Sequence, residues 1–273
     1  MAHDHLHPTP YPDVNAVLHL LLANVQSLLQ ENFLGMYLYG SLASGDFDPR
    51  SSDVDFVVIT VHDISVEKLP ALAAMHTHIA ASGLKWATKL EGSYIPQVAI
   101  RRYDPTNAQH PSIGVDWAFG VGYHGSEWII QRYILRQQGI VVAGPDPYTL
   151  IDPIFPDELR HAVRTTLHDF WSHQLLDPAW LHSREYQAFA ILTMCRALYT
   201  LHHGTIVSKP VAAQWAKEAL DHRWRGMIER ALAWRYDKHV DDMTDMLEFM
   251  RYTIEQSHHD EPMLDEPDDG QHT

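Results

Sequence analysis

The chain is short of cysteine, of basic residues and of long apolar runs. Cys195 is the one cysteine among 273 residues. A single thiol excludes an internal disulfide framework and fits a reducing cytoplasm. Lys and Arg number 20 against 35 Asp and Glu, a formal net charge of −15. A field of that sign repels nucleic acid and favours cationic partners. Nowhere do eighteen apolar residues run uninterrupted, so no membrane-spanning helix is expected. The first residues, MAHDHLHPTPYP, have neither the basic nor the apolar region of a secretory signal, and a cytoplasmic enzyme is the expectation. The twenty histidines form no H-E-x-x-H or C-x-x-C…H pattern. His3, His5 and His7 alternate in a flexible terminus, where only an incidental or weak metal contact is expected.

Hydrophobic spacing divides the rest. Residues 13–31 carry one helical stripe through Val17, Leu20, Leu21, Val25, Leu28 and Leu29. FLGMYLYG (33–40) reads as a strand ending on a glycine turn, and VDFVVIT (54–60) as a buried strand rich in β-branched residues. Residues 66–82 read as a helix, 95–103 as a third strand, 104–114 as a loop containing Pro105 and Pro111, and 126–139 as a helix stopped by Gly139. Beyond Pro153–Pro156 only helical spacing remains, over 157–173, 183–202, 210–220, 224–237 and 241–256. The expected architecture is α/β plus all-α: a mixed sheet flanked by helices over 1–155, a helical bundle over 156–257, and an acidic, disordered tail over 258–273.

Chemistry concentrates in Tyr37-Leu38-Tyr39-Gly40-Ser41, followed after eleven residues by Asp53-Val54-Asp55-Phe56. A strand that turns at Gly-Ser into a short helix presents backbone N–H groups, and the serine adds a hydroxyl donor, as phosphate binding requires. Asp53 and Asp55 leave the same face of a strand. Two carboxylates aimed at one spot need a cation between them, and Mg²⁺ takes one or two carboxylates plus phosphate oxygens. A second motif competes. Gly120-Val121-Gly122-Tyr123-His124-Gly125 has the dinucleotide spacing, with Asp146 about twenty residues on. The chain after 150 offers no strands for a doubly wound sheet, so these glycines are expected in a loop entering the next helix. In the helical half, Arg196 lies among apolar residues and should have an anionic partner. Lys209 starts a helix, where the dipole disfavours a cation unless an anion is near.

The G-S, gap, D-h-D-h pattern resembles the polymerase-β-like nucleotidyltransferases. That resemblance implies a third carboxylate on a neighbouring strand, for which Glu91 is the candidate. Residues Arg196, Tyr199, Gly204, Ile206, Lys209, Ala212, Ala213, Trp215 and Ala216 make the helical half similar to the C-terminal domain of the aminoglycoside adenylyltransferases acting on streptomycin and spectinomycin. The resemblance implies transfer of AMP from ATP to a hydroxyl of a small, cationic acceptor. Asp53 and Asp55 would hold Mg²⁺ and Glu91 would be general base. Gly40, Ser41, Arg196, Lys209 and Tyr236 would bind ATP, and Trp117 and Glu185 the acceptor. No nucleic acid or membrane partner is implied. The sequence departs from the family where an acidic drug-binding position is Tyr186, with Glu185 beside it. An antitoxin-like nucleotidyltransferase that binds or modifies a partner protein is the alternative; such proteins are shorter and lack a fused helical domain.

Overall fold

The computed structural model describes residues 7–50, 52–115, 118–234 and 243–259. Six strands form one mixed sheet: β1 (Phe33–Leu38), β2 (Val54–Thr60), β3 (Leu90–Pro96), β4 (Gln109–Ile113), β5 (Gly120–Tyr123) and β6 (Ile140–Ala143), in the order β5-β4-β3-β2-β1-β6. Only β2 and β3 run parallel; every other neighbouring pair is antiparallel. The parallel pair needs a crossover, and α3 (Leu69–Ala80) supplies it.

Strand alternation assigns the two faces. Val54, Phe56 and Val58 pack with α1 (Pro12–Leu29) and α3, each buried side chain contributing roughly 1.5–3 kcal/mol. Val57 and Ile59 point the other way, joining Tyr37, Tyr39 and Ile95 with Trp128, Ile134 and Leu135 of α4 (Glu127–Gln138). Asp55 has the parity of this second face. Leu159 and Ile206 join the same cluster, so the helices that follow close over the face carrying Asp55. Between β1 and β2 lies α2 (Gly40–Ser44).

The helical half comprises α5 (Pro156–Thr166), α6 (Arg184–His203), α7 (Lys209–Ala219), α8 (Arg225–Leu232) and α9 (Met243–His259). It is built on α6, a twenty-residue helix whose buried Ile191, Met194, Cys195 and Leu198 form its core with Ala212, Ala213, Ile228 and Phe249. Ser183 caps α6 by accepting from the Tyr186 N–H. Gly204 ends it at φ 65°, and a Cβ there would come within 2.6 Å of Pro156. The same glycine therefore turns the chain and lets α6 meet the start of α5. Burial pushes the Cys195 thiol up to about 12.

Three expectations need correction. The third strand is Leu90–Pro96, not 95–103; after Pro96 the chain turns helical over Gln97–Arg101. The segment read as a loop contains β4, hydrogen-bonded to β3 and β5. Of the dinucleotide-like glycines, Gly120 and Gly122 lie in edge strand β5, and Gly125 alone is in the expected turn entering the next helix. No strand follows β6 among the described residues. Helix α9 runs to His259, two residues past the expected boundary, and 260–273, the rest of the acidic tail, lie outside the described residues. No described helix is long and apolar enough to cross a membrane.

Candidate active site

The parallel pairing of β2 and β3 sets Asp55 directly beside Glu91. Glu91 was expected ahead of the third strand; it is the second residue of that strand. Asp53 immediately precedes β2. Burial, then the carboxylates of Glu91 and Asp53, push the Asp55 carboxyl up to about 8, against the pull of Lys209 and of the Ser41 backbone N–H. Three carboxylates thus press on one another where two strands meet. Lys89 Nζ stands 3.2 Å from Asp53 Oδ1, an ion pair without aligned hydrogen-bond geometry, and that oxygen is buried with no hydrogen-bond partner.

The glycine turn serves this cluster. Gly40 has φ 60°, and a Cβ on it would lie 2.0 Å from Asp55 Oδ2. The turn accepts the Asp55 carboxyl against bare backbone, so any other residue at 40 would displace the carboxylate as well as strain the chain. The backbone N–H expected for phosphate at Ser41 is given to Asp55 in this state. Tyr39, buried just before the turn, has its phenol held above the ordinary value by burial and then by Asp55 and Glu91. Its ring lies 6.0 Å from that of Trp128.

Opposite these carboxylates the helical half presents its cations. Arg196, on α6, is drawn down by burial and supported by Asp46 and Asp55. These are the anionic partners that a guanidinium on an apolar helix requires. Lys209 is the first residue of α7, and its Nζ sits 4.2 Å above the Phe189 ring. Asp46 faces that helix start: burial raises its carboxyl above the ordinary value, against the pull of Lys209, of Arg196 and of the Lys209 backbone N–H. Asp46 was missed by sequence reasoning. It matches no motif, and the available signal was the unmet need of Arg196 and Lys209 for a carboxylate.

Glu185 is exposed in the first turn of α6. Beside it Tyr186, partly exposed Phe189 and Trp180 make an aromatic wall, Tyr186 meeting Trp180 edge-on at 4.9 Å. Trp117 and Tyr236 lie outside the described residues.

Among the described residues no three His, Cys, Asp or Glu side chains form a ready-made metal cage. Mg²⁺ does not need one, since it completes its shell with substrate oxygens and water. The mutual repulsion at Asp55 and the Asp53 oxygen, which has Lys89 near it but no hydrogen bond, fit a cation between these carboxylates.

Comparison with known proteins agrees with this division. The nucleotidyltransferase domain family matches residues 22–86, and the C-terminal domain family of aminoglycoside adenylyltransferase matches 149–258. An aminoglycoside (3'') (9) adenylyltransferase of Shigella flexneri is 23% identical over 240 residues, 80% of this chain and 84% of its own. A spectinomycin 9-adenylyltransferase of Campylobacter jejuni is 26% identical over 221 residues, 77% and 81% of the two chains. The crystal structure of a spectinomycin adenyltransferase from Enterococcus faecialis, solved with ATP and spectinomycin, superposes with a TM-score of 0.71. It has 17% identity and covers 89% of this chain and 98% of that one.

Proposed function

We propose that this chain, a member of the nucleotidyltransferases whose helical half is that of the aminoglycoside adenylyltransferases, transfers AMP from ATP to a hydroxyl of an aminoglycoside-class acceptor. The observation that carries the reading is the placement of Asp55 beside Glu91 across β2 and β3, facing Arg196 and Lys209. Fixed anions opposite fixed cations are what phosphoryl chemistry needs, because its catalysis is mainly positioning and charge stabilisation. The reading divides the chain at residue 156, the sheet half supplying the base and the helical half the cations.

In this mechanism Glu91 takes the proton of the attacking acceptor hydroxyl. The acceptor oxygen bonds to the α-phosphorus as the bond to the β-phosphate bridge breaks, and pyrophosphate departs. Ser41 offers its hydroxyl, and Gly40 its bare backbone, to the phosphates. Arg196 and Lys209 neutralise charge on the triphosphate, and Tyr236 stacks on the base. Asp53 and Asp55 would hold Mg²⁺, which when bound supplies charge neutralisation at the phosphates. Glu185 and Trp117 meet the acceptor. The acidic sheet half and Glu185 suit a cationic one.

The test is incubation with α-labelled ATP, Mg²⁺ and a panel containing spectinomycin, streptomycin and neutral acceptors such as a lincosamide. The expected result is label on an aminocyclitol or aminoglycoside with one pyrophosphate released per AMP transferred. Label appearing only on a neutral acceptor, or only on a co-purifying protein, would reject the acceptor class.

A further inference from the structure

The mechanism above gives no role to the residue that ends β1. Tyr39 follows that strand directly, and its backbone N–H donates to the Asp55 carbonyl at 3.2 Å. The antiparallel register runs Tyr37 against Val57 and Leu38 against Phe56, so Tyr39 stands opposite Asp55. Side chains paired in this way leave the same face, with Cβ atoms about 4.5–5.5 Å apart. Asp55 stands in turn beside Glu91 in the parallel register of β2 and β3. One row therefore crosses three strands, from Tyr39 through Asp55 to Glu91. The packing agrees, since Tyr39 shares its cluster with Tyr37, Val57 and Trp128 on the face of the candidate site.

The phenol is held but unused. Its ring lies 6.0 Å from that of Trp128, which is itself stacked on His124 at 4.2 Å. His124 is hydrogen-bonded to the Ser93 hydroxyl at 3.1 Å, so the rings behind Tyr39 are tied to the sheet. Tyr39 is 7% exposed, and its hydroxyl is not sealed from solvent and makes no hydrogen bond with any described residue. A tyrosine with a buried ring ordinarily finds a partner for its O–H. In-line transfer decides what such a donor can serve, because attacking and departing oxygens lie on opposite sides of the phosphorus. Glu91, the base, marks the attacking end of the row. Tyr39 stands at the other end, and the next residues are Gly40 and Ser41 of the phosphate turn.

We propose that the Tyr39 hydroxyl donates a hydrogen bond to the oxygen bridging the α- and β-phosphates as pyrophosphate leaves. The proposal rests on the assignment of Glu91 as base and of Gly40 and Ser41 to the phosphates. The acceptor oxygen bonds to the α-phosphorus while its proton passes to Glu91. The electron pair of the breaking bond stays on the bridging oxygen. Tyr39 stabilises that charge and keeps its own proton, a phenol being a donor throughout the neutral range. A donor already fixed by packing costs no reorganisation when the charge appears.

The experiment compares the full-length protein with Tyr39→Phe, which keeps the ring against Trp128 and removes only the hydroxyl. Single-turnover transfer uses the panel acceptor that the unaltered protein labels fastest. The donors are Mg·ATP and its analogues with CH₂, CHF or CF₂ between the β- and γ-phosphorus, whose leaving groups differ in basicity. The expected result is roughly hundredfold slower transfer from ATP, with the rate falling more steeply with leaving-group basicity than in the unaltered protein. Calorimetric Mg·ATP affinity should stay within a few-fold, and Tm should not move. A merely structural Tyr39 predicts no loss of rate, because the deleted hydroxyl has no partner, and that result overturns the proposal. A slower variant with an unchanged dependence on the leaving group also overturns it, as does a loss explained wholly by weaker Mg·ATP binding. Should the unaltered protein transfer AMP to no member of the panel, the nucleotidyltransferase reading itself fails. If it transfers AMP and the variant matches it, only the role of Tyr39 fails.

Discussion

The two halves of the molecule solve opposite electrostatic problems. In the sheet half, Asp53, Asp55 and Glu91 are crowded until Asp55 resists ionisation. In the helical half, Arg196 and Lys209 sit where a cation is unwelcome. Each half taken alone would be charged in a way that disfavours its own fold. Together they are complementary, with Asp46 and Asp55 reaching Arg196 from the other side of the seam. The difference teaches that charges buried at a seam can be answered from across it, and under the proposed function the ligand between them is a metal-bound triphosphate.

Breaking the sheet half should have the largest effect. Asp53→Ala or Asp55→Ala is expected to abolish AMP transfer, as should EDTA on the unaltered protein, with circular dichroism showing the fold retained. Full activity in either variant would end the comparison. Next comes Glu91→Gln, which keeps size and reach but not basicity. It should lower kcat by roughly 10²–10⁴-fold while nucleotide titration shows ATP affinity within a few-fold. A loss confined to acceptor or metal binding would make Glu91 a ligand instead of the base.

Breaking the helical half should be milder. Arg196→Ala or Lys209→Ala removes a charge-assisted contact to phosphate, roughly 1.5–3 kcal/mol, and should weaken ATP binding about ten- to hundredfold. Calorimetry with unchanged affinity in both would confine the nucleotide to the sheet half.

The smallest effect sharpens the comparison from the face away from the site. His76, buried on α3, is hydrogen-bonded to the Tyr94 hydroxyl at 2.7 Å, and burial lowers it to about 4. A depressed histidine contributes stability that is present above its unfolded value near 6.5 and is lost as pH falls toward 4. Chemical denaturation should show that loss, on the order of 3 kcal/mol. His76→Gln should flatten it without altering ATP affinity at pH 7.5. An unchanged acid profile in the variant would show that His76 is not the group responsible.

Much of this was readable from residues. VDFVVIT declares a buried strand through its β-branched run, and Asp53 and Asp55 announce chemistry by interrupting apolar neighbours. The third strand was not readable at its true position. Leu90–Pro96 contains Glu91, Gly92 and Ser93, poor strand formers held there by pairing with β2. The more apolar IPQVAIRRY drew the assignment downstream. Strand β4 hid behind Pro111. Its pairing with β3 involves only Ser112 and Ile113, so the proline is not asked to serve the central ladder. The register that sets Asp55 beside Glu91, and the reach of Asp46 across the seam, are tertiary facts. Local patterns constrain them only through the need for an anion at Arg196 and Lys209.

Cys195, fully buried on α6 with its thiol raised to about 12, has a practical consequence. Thiolate is the reactive form, so this side chain will be silent to maleimides and nitroxides while the protein is folded. Being the sole cysteine, it leaves the surface blank for spectroscopy. One engineered thiol on each side of the seam, for instance at exposed Val98 and Val211, would report a single distance by electron spin resonance. The separation of the two halves could then be followed through a catalytic cycle with no native residue removed to clear the background.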